Sequence, residues 1–461
     1  MKPGFARVMA GAAFASLLTA GCTDGAVNDD ENFFVLTFRT SVDTGGVQGN
    51  GPSIRPMMTA DGRYIVFQSR ATNFVANDTN GRIDIFRKDL QTGAIIRVSV
   101  EHPTDPDATA DNDNVNSDCE NARITPDGRY VVFESEAQDL VPNDSPGTLD
   151  VFRRDIEGGT TIRISVDTAG NTSNGDSRNA AISNDGRYVI FESLATNLVP
   201  TDTNGVSDIF IRDTEFNVTT RVSVSTAGAQ ALDASFNPDI SGDGLIAAFD
   251  SAASNLVTGD TNGTSDVFVR DWQSVAPITL RASVEGPGNL DGNTLDLDNA
   301  DGVSTNPRLS GNGSRVVYLS SAPDIVPNDS NARIDVFVRD LILSASARAS
   351  SSSQGTEGSQ DCSAATISAD GRWVAFQTNA PDLVGNDTNN ASDIFLRDLF
   401  LGTTIRVSVA TYGRESQPFF DSFNSSLSSD GRFVTFNSSA PNLAPNDSNG
   451  TFDIFVRGPL Y

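Results

Sequence analysis

Apolar residues in this chain fall in short runs, each closed by an aromatic and separated by stretches rich in Asp, Asn, Gly and Ser. No window sustains a helical period, so the pattern predicts strands and turns. The closing aromatic recurs at Phe67, Phe133, Phe191, Phe249, Tyr318, Phe376 and Phe436, positions 58 to 69 residues apart. Asp-(Ile/Val)-Phe recurs with it, beginning at Asp84, Asp150, Asp208, Asp266, Asp335, Asp393 and Asp453. A basic residue opening an alternating apolar/Ser segment follows the same period, at Arg39, Arg97, Arg163, Arg221, Arg281, Arg348 and Arg406.

Each unit predicts four strands. In the third they are Arg178–Ser183, Tyr188–Glu192, Asp208–Arg212 and Thr219–Val224. Asp185-Gly186 supplies the first hairpin, because glycine accepts positive φ without steric conflict. The second strand is apolar on successive residues, as expected where both sheet faces are buried. Seven such units make an all-β, seven-bladed β-propeller of four-stranded blades. The last unit stops at Tyr461, too soon for a fourth strand, while Thr37–Val42 (TFRTSV) matches Thr161–Val166 (TIRISV). The amino-terminal strand therefore completes the last blade. Closing a loop of some 400 residues costs roughly 5 kcal/mol of chain entropy, which strand pairing and burial must exceed.

The Ser-x-Asp-Gly-Arg-(aromatic)-x-x-Phe core, as at Ser183–Phe191 and Ser368–Phe376, resembles the repeat of TolB-like, WD-type propellers of bacterial envelopes. The resemblance runs over roughly residues 34–461 and speaks to fold, with little to say about function. Residues 1–21 read as a secretory leader, with Lys2 and Arg7 before an apolar stretch too short to span a bilayer. Thr19-Ala20-Gly21-Cys22 resembles a lipobox, which makes Cys22 an acylated amino terminus and places the protein in the cell envelope, periplasmic or at the outer membrane. Residues 22–33 read as a flexible tether and 34–461 as the propeller.

Charge narrows the partners. The chain carries 60 acidic and 32 basic residues, net −28, with no basic stripe, which argues against nucleic acid. Contact with a membrane is expected only through the lipid anchor. Two enlarged loops, Glu101–Asp118 and Glu285–Asp301, contain many acids and not one Lys or Arg. The strand order puts both on one face of the disc, the face expected to bind.

Two constellations recur. Asp-x-Asn-Gly-x-x-Asp enters the third strand, at Asp78, Asn80 and Asp84; Asp202, Asn204 and Asp208; Asp260, Asn262 and Asp266; and Asp447, Asn449 and Asp453. Alternating carboxylate and amide oxygens around a Gly turn are the ligand chemistry of calcium; the alternative is that they cap backbone amides in a tight turn. No other cofactor is called for. The second constellation begins the inner strands: Ser53, Cys119, Ser177, Ser235, Ser304, Cys362 and Ser422, followed two residues on by Asn121, Asn179, Asn237, Asn306 and Asn424 in five units. These are expected to form a polar ring at the channel mouth, satisfying backbone groups or holding a polar ligand. Cys119 and Cys362, in blades two and six, stand too far apart to bridge.

His102 is the only histidine, so a Ser-His-Asp triad or a His-rich zinc site has little to build on. The sequence thus reads as a non-catalytic envelope lipoprotein that binds a protein or an envelope polymer. A calcium-stabilised structural or adhesive module is a second reading, and a hydrolase or lyase using channel acids a third.

Overall fold

The computed structural model describes residues 35–102, 115–142, 147–284 and 300–461. The expected leader and tether, Asp144, and most of both acidic loops lie outside them.

Seven four-stranded antiparallel sheets, each in simple up-and-down order, surround an axis. In the third blade the strands are Ser177–Ile182, Tyr188–Ser193, Asp208–Asp213 and Val218–Arg221, from the channel outwards. The ring closes as expected: Leu36–Arg39 pairs with Asp453–Gly458, setting Leu36 opposite Gly458 and Arg39 opposite Phe455. The Thr40 amide extends the seam to the Ile454 carbonyl at 2.7 Å.

The repeat's two aromatics meet inside every blade. Phe191 on the second strand lies directly opposite Phe210 on the third, their rings 5.9 Å apart and stacked. Six other blades repeat the pair, from Phe67–Phe86 to Phe436–Phe455. Each pair adds about 0.5–1.5 kcal/mol beyond the burial of its area. Asp-Gly-Arg works between strands as well: Arg187 holds Asp213, at the end of the third strand, through bonds of 3.0 and 2.7 Å. Gly186 has φ +76°, and a Cβ there would meet the ring of Tyr130 from the preceding blade at 2.2 Å. Glycine is thus required twice, by the turn and by the packing.

Outer strands are shorter than their alternation predicts. After Arg221 the chain turns over the rim into a small hairpin bridged at Val224 and Gln230, and four other blades do the same. That hairpin docks on the next blade's outer strand. Thr219 Oγ, for example, donates to the Val166 carbonyl at 2.6 Å. Pairing with the rim hairpin takes over the residues that periodicity assigned to the strand.

Candidate functional site

The Asp-x-Asn-Gly-x-x-Asp turns do bring their side chains together, but around an arginine. In blade three, Arg221 Nη1 stands 3.7 Å from Asp202 and 3.4 Å from Asp208. Arg97 lies 3.7 Å from both Asp78 and Asp84. Arg281 bridges Asp260 and Asp266, and the closing strand's Arg39 bridges Asp447 and Asp453. In blade three other oxygens of the turn are taken too. Ser223 donates to Asp208 Oδ1, and Asn204 donates its amide to Oδ2 while its own oxygen accepts the Val206 amide. Asn80, Asn262 and Asn449 each accept in the same way from the amide two residues on. A calcium ion needs oxygens converging on one empty centre, and here N–H groups and a guanidinium fill it. The calcium reading does not fit these residues; the invariant Arg of the outer strand is the cation. Burial, and then the neighbouring Asp84, push Asp78 up to about 6.

The Ser and Cys positions lie inside the blades. Ser53, Ser177, Ser235, Ser304 and Ser422 are fully buried, as is Cys119, and Cys362 nearly so. Ser177 bonds Ser193 across the strand pair at 2.9 Å, and Ser53, Ser235 and Ser304 repeat this. They therefore do not line the channel mouth. The reason is register: position one of the inner strand points to the same side as the last residue of the second strand, into the blade. Both cysteines are free thiols.

The asparagines have a different task. Asn121, Asn179, Asn237, Asn306 and Asn424 all adopt φ of 52–56°, as does Arg55. They bulge the inner strand, two residues facing one on its partner. Asparagine tolerates this left-handed conformation better than other side chains. In four of these units the bulge turns the asparagine amide toward the preceding blade, where a polar residue of the second strand accepts it. Gln68 takes the Asn121 amide at 3.0 Å, Glu134 takes that of Asn179, Glu192 that of Asn237 at 2.8 Å, and Asp250 that of Asn306 at 3.0 Å. In blade six, Ala364 replaces Asn beside a neighbour carrying Leu319, and the bulge changes register.

These acceptors make the channel wall electrically lopsided. Blades two, three and four contribute Glu134, Glu192 and Asp250, whereas blades one, five, six and seven contribute Gln68, Leu319, Gln377 and Asn437. Burial pushes Glu134 up to about 7 and Asp250 up to about 6, with Glu192 adding to both. Glu192 itself is raised, by burial first.

On the inner strands the same sector bears Glu120, Arg123, Arg178, Asp239 and Arg308. Glu120 is directly opposite Glu134 in the strand pairing and half-buried. Arg123 reaches past the small Ala181 to stand 3.9 Å from Asp239 of blade four. Arg308 makes no ion pair among the described residues; it donates to its own neighbour, the Pro307 carbonyl, at 2.9 Å. Burial, and then the like charge of Arg123, lower it to about 10. Two guanidiniums and one carboxylate thus meet deep in the channel of an otherwise strongly acidic protein. Sequence reasoning missed this cluster because the charge at this register position does not follow the sevenfold repeat: it is Arg in blades two and five, Asp in blade four and uncharged in the others.

No protein-family model matches the chain, and neither does any curated protein. Solved structures do. Oligogalacturonate lyase in complex with manganese is similar at 12% identity and TM-score 0.51, over 92% of this chain and 93% of that one. The β-propeller domain of the Trilobed protease from Pyrococcus furiosus is similar at 9% identity and TM-score 0.48, covering 88% of this chain and 95% of that one. A putative TolB from Agrobacterium tumefaciens is similar at 15% identity and TM-score 0.39, covering 74% and 90%. At these identities the likeness concerns fold. It nevertheless corrects the reading of a non-catalytic scaffold. The structure matching at 0.51 over nearly its whole length is an enzyme, and the channel sector described above carries the titratable groups that reading overlooked. The manganese of that lyase has no counterpart among the described residues, which contain no group of three His, Cys, Asp or Glu side chains able to hold a metal ion.

Proposed function

We propose that the chain is an enzyme, a lyase or hydrolase that works on an anionic saccharide at the loop-side mouth of its channel. The observation that carries this reading is Glu120 facing Glu134 in register, one carboxyl in reach of channel water and the other buried with its pKa pushed up to about 7. Two carboxyls in unlike environments suit acid–base work at neutral pH, because one keeps its proton while the other remains in contact with solvent. Arg123 and Arg308 seat the substrate's negative charge, and withdrawing electrons from a uronate carboxylate would ease removal of the adjacent proton. The fold neighbour's action on oligogalacturonate supports an acidic sugar as the first substrate class to try. The leader and Cys22 support an envelope location with a lipid anchor, which mass spectrometry of the mature amino terminus tests.

The decisive experiment is a screen of acidic oligosaccharides with the intact protein, Glu134→Gln and Arg308→Met. Glu134→Gln is a clean probe, because Gln68 performs the same bonding task in blade one. We expect both variants to fold and to lose turnover by at least about a hundredfold. Turnover that survives both substitutions sinks the assignment.

A further inference from the structure

The face opposite the acidic loops carries the turns between third and fourth strands, and these turns differ around the ring. Blades one and two end in polar tips, Gln91-Thr92 and Glu157-Gly158, and blades three and four each carry a single exposed apolar residue there, Phe216 and Val275. Blades five and six end in Ile342-Leu343 and Phe400-Leu401, whose side chains are 78%, 73%, 82% and 63% exposed. The tips are held outward rather than collapsed. Asp340 accepts the amides of Ile342 and Leu343 at 3.0 and 2.9 Å, and Asp398 those of Phe400 and Leu401 at 2.8 and 3.2 Å. Next in the ring, Tyr412 is 90% exposed at the rim between blades six and seven.

The chain enters the propeller at this same place. Leu36 begins the closing strand opposite Gly458, on the hairpin side of blade seven, and the Thr37 amide bonds Thr411 beside Tyr412 at 3.0 Å. Fourteen positions separate Leu36 from Cys22, a reach of at most ~50 Å even when fully extended. A lipid at Cys22 therefore keeps the entry of the closing strand, at the edge of this arc, within that reach of the bilayer.

We propose that the hairpin-side arc of blades five to seven docks on the lipid surface, its apolar tips entering the headgroup region. The proposal rests on the lipid-anchor reading of Cys22. A contiguous exposed apolar patch on a strongly acidic protein needs a partner that does not depend on charge, and an interface rewards Phe, Leu and Ile beside arginine. The arc is locally neutral: Arg315 pairs with Asp340 and Arg372 with Asp398. Arg372 also lies over Phe400, 5.6 Å from the ring centre, where a lipid phosphate would meet it. One lipid chain alone holds a protein only marginally; the arc adds a second contact and turns the acidic loops and the channel mouth away from the membrane.

The test uses the full acylated chain reconstituted in phosphatidylethanolamine–phosphatidylglycerol vesicles with brominated acyl chains. Phe400→Trp and Thr92→Trp report opposite sides of the ring, against the background of Trp272 and Trp373 in the unsubstituted chain. We expect the added fluorescence at 400 to be quenched and that at 92 to be unaffected. Hydrogen exchange at the 341–344 and 399–402 turns should slow on vesicles, and at 90–93 should not. Equal quenching at both sites, or none at 400, overturns the proposal. So does a lipid-free dimer that Ile342→Ser with Phe400→Ser converts to monomer, which would make the arc an interface between copies. Should mass spectrometry find Cys22 unmodified, the anchor reading fails by itself. The same quenching, with the unanchored chain added to excess lipid, then still decides the face.

Discussion

Arg221 stands between two buried carboxylates that pair with no other cation among the described residues. Breaking a buried pair by removing one partner leaves uncompensated charge and costs about 3–5 kcal/mol. Arg221→Met should therefore destabilise by that order, and Asp202→Asn on top of it should recover part of the loss, read as melting temperature. Glu134 behaves in the opposite sense. Its folded pKa of about 7 lies above its unfolded value, near 4.3 for an ordinary Glu. Folding then favours the proton, and the stability this group contributes is full below about pH 4 and is lost as pH rises through 7. Glu134→Gln should match the parent at pH 4 and exceed it at pH 8, by on the order of 3–4 kcal/mol. An unchanged difference between the two pH values would show that the carboxyl is not protonated in the fold. At this scale the sequence was half legible: it marked the Asp, Asn and Ser of the turns by their recurrence, but their partner, the outer-strand arginine, lies some twenty residues away and looks from sequence like a strand residue.

At the scale of elements the closing strand matters most. Leu36–Arg39 supplies a full seam with Asp453–Gly458 and the arginine that pairs with Asp453, while Ser41 just beyond it donates to the same carboxylate. Removing residues 35–42 exposes that edge and leaves Asp447 and Asp453 without Arg39. We expect a melting temperature lowered by more than ten degrees and concentration-dependent aggregation through the open edge. A truncated chain that melts like the parent would show that the ring holds without its seam. The inner strands illustrate what period-two reasoning overlooks. Their Ser-x-Asn start suggested a polar mouth, yet the register opposite the second strand faces Ser into the blade, and the bulge after the second position spends Asn on a left-handed turn.

Across the whole molecule, burial raises many carboxyls at once, among them Asp78, Asp266, Asp329 and Asp387, each to about 6. A second set is lowered by the Asp-Gly-Arg bridges; the Arg129 bond takes Asp155 down to about 2. The raised set loses stability as pH climbs through 6, and the lowered set loses it as pH falls below about 4. The melting temperature should accordingly be higher at pH 5 than at pH 8. Because the net charge is −28, added salt should recover part of the pH 8 loss by screening self-repulsion. A melting temperature that rises steadily from pH 5 to pH 8 would overturn this account.

What the sequence determined by itself is whatever repeats: seven blades, the paired aromatics, the hairpins and the amino-terminal strand that closes the ring. Repetition made these legible because each unit buries the same faces against the same neighbours, so one set of side chains recurs with one period. Tertiary structure alone decided which groups meet across blades. The arginine that fills each Asp–Asn turn comes from another strand. The sector holding Glu134, Arg123 and Arg308 exists because non-repeating residues of blades two to five converge on one axis, and the apolar arc gathers at the chain's entry only because blade seven is built from both ends. Such encounters depend on closure of the ring, which brings together residues with no relation of spacing along the chain.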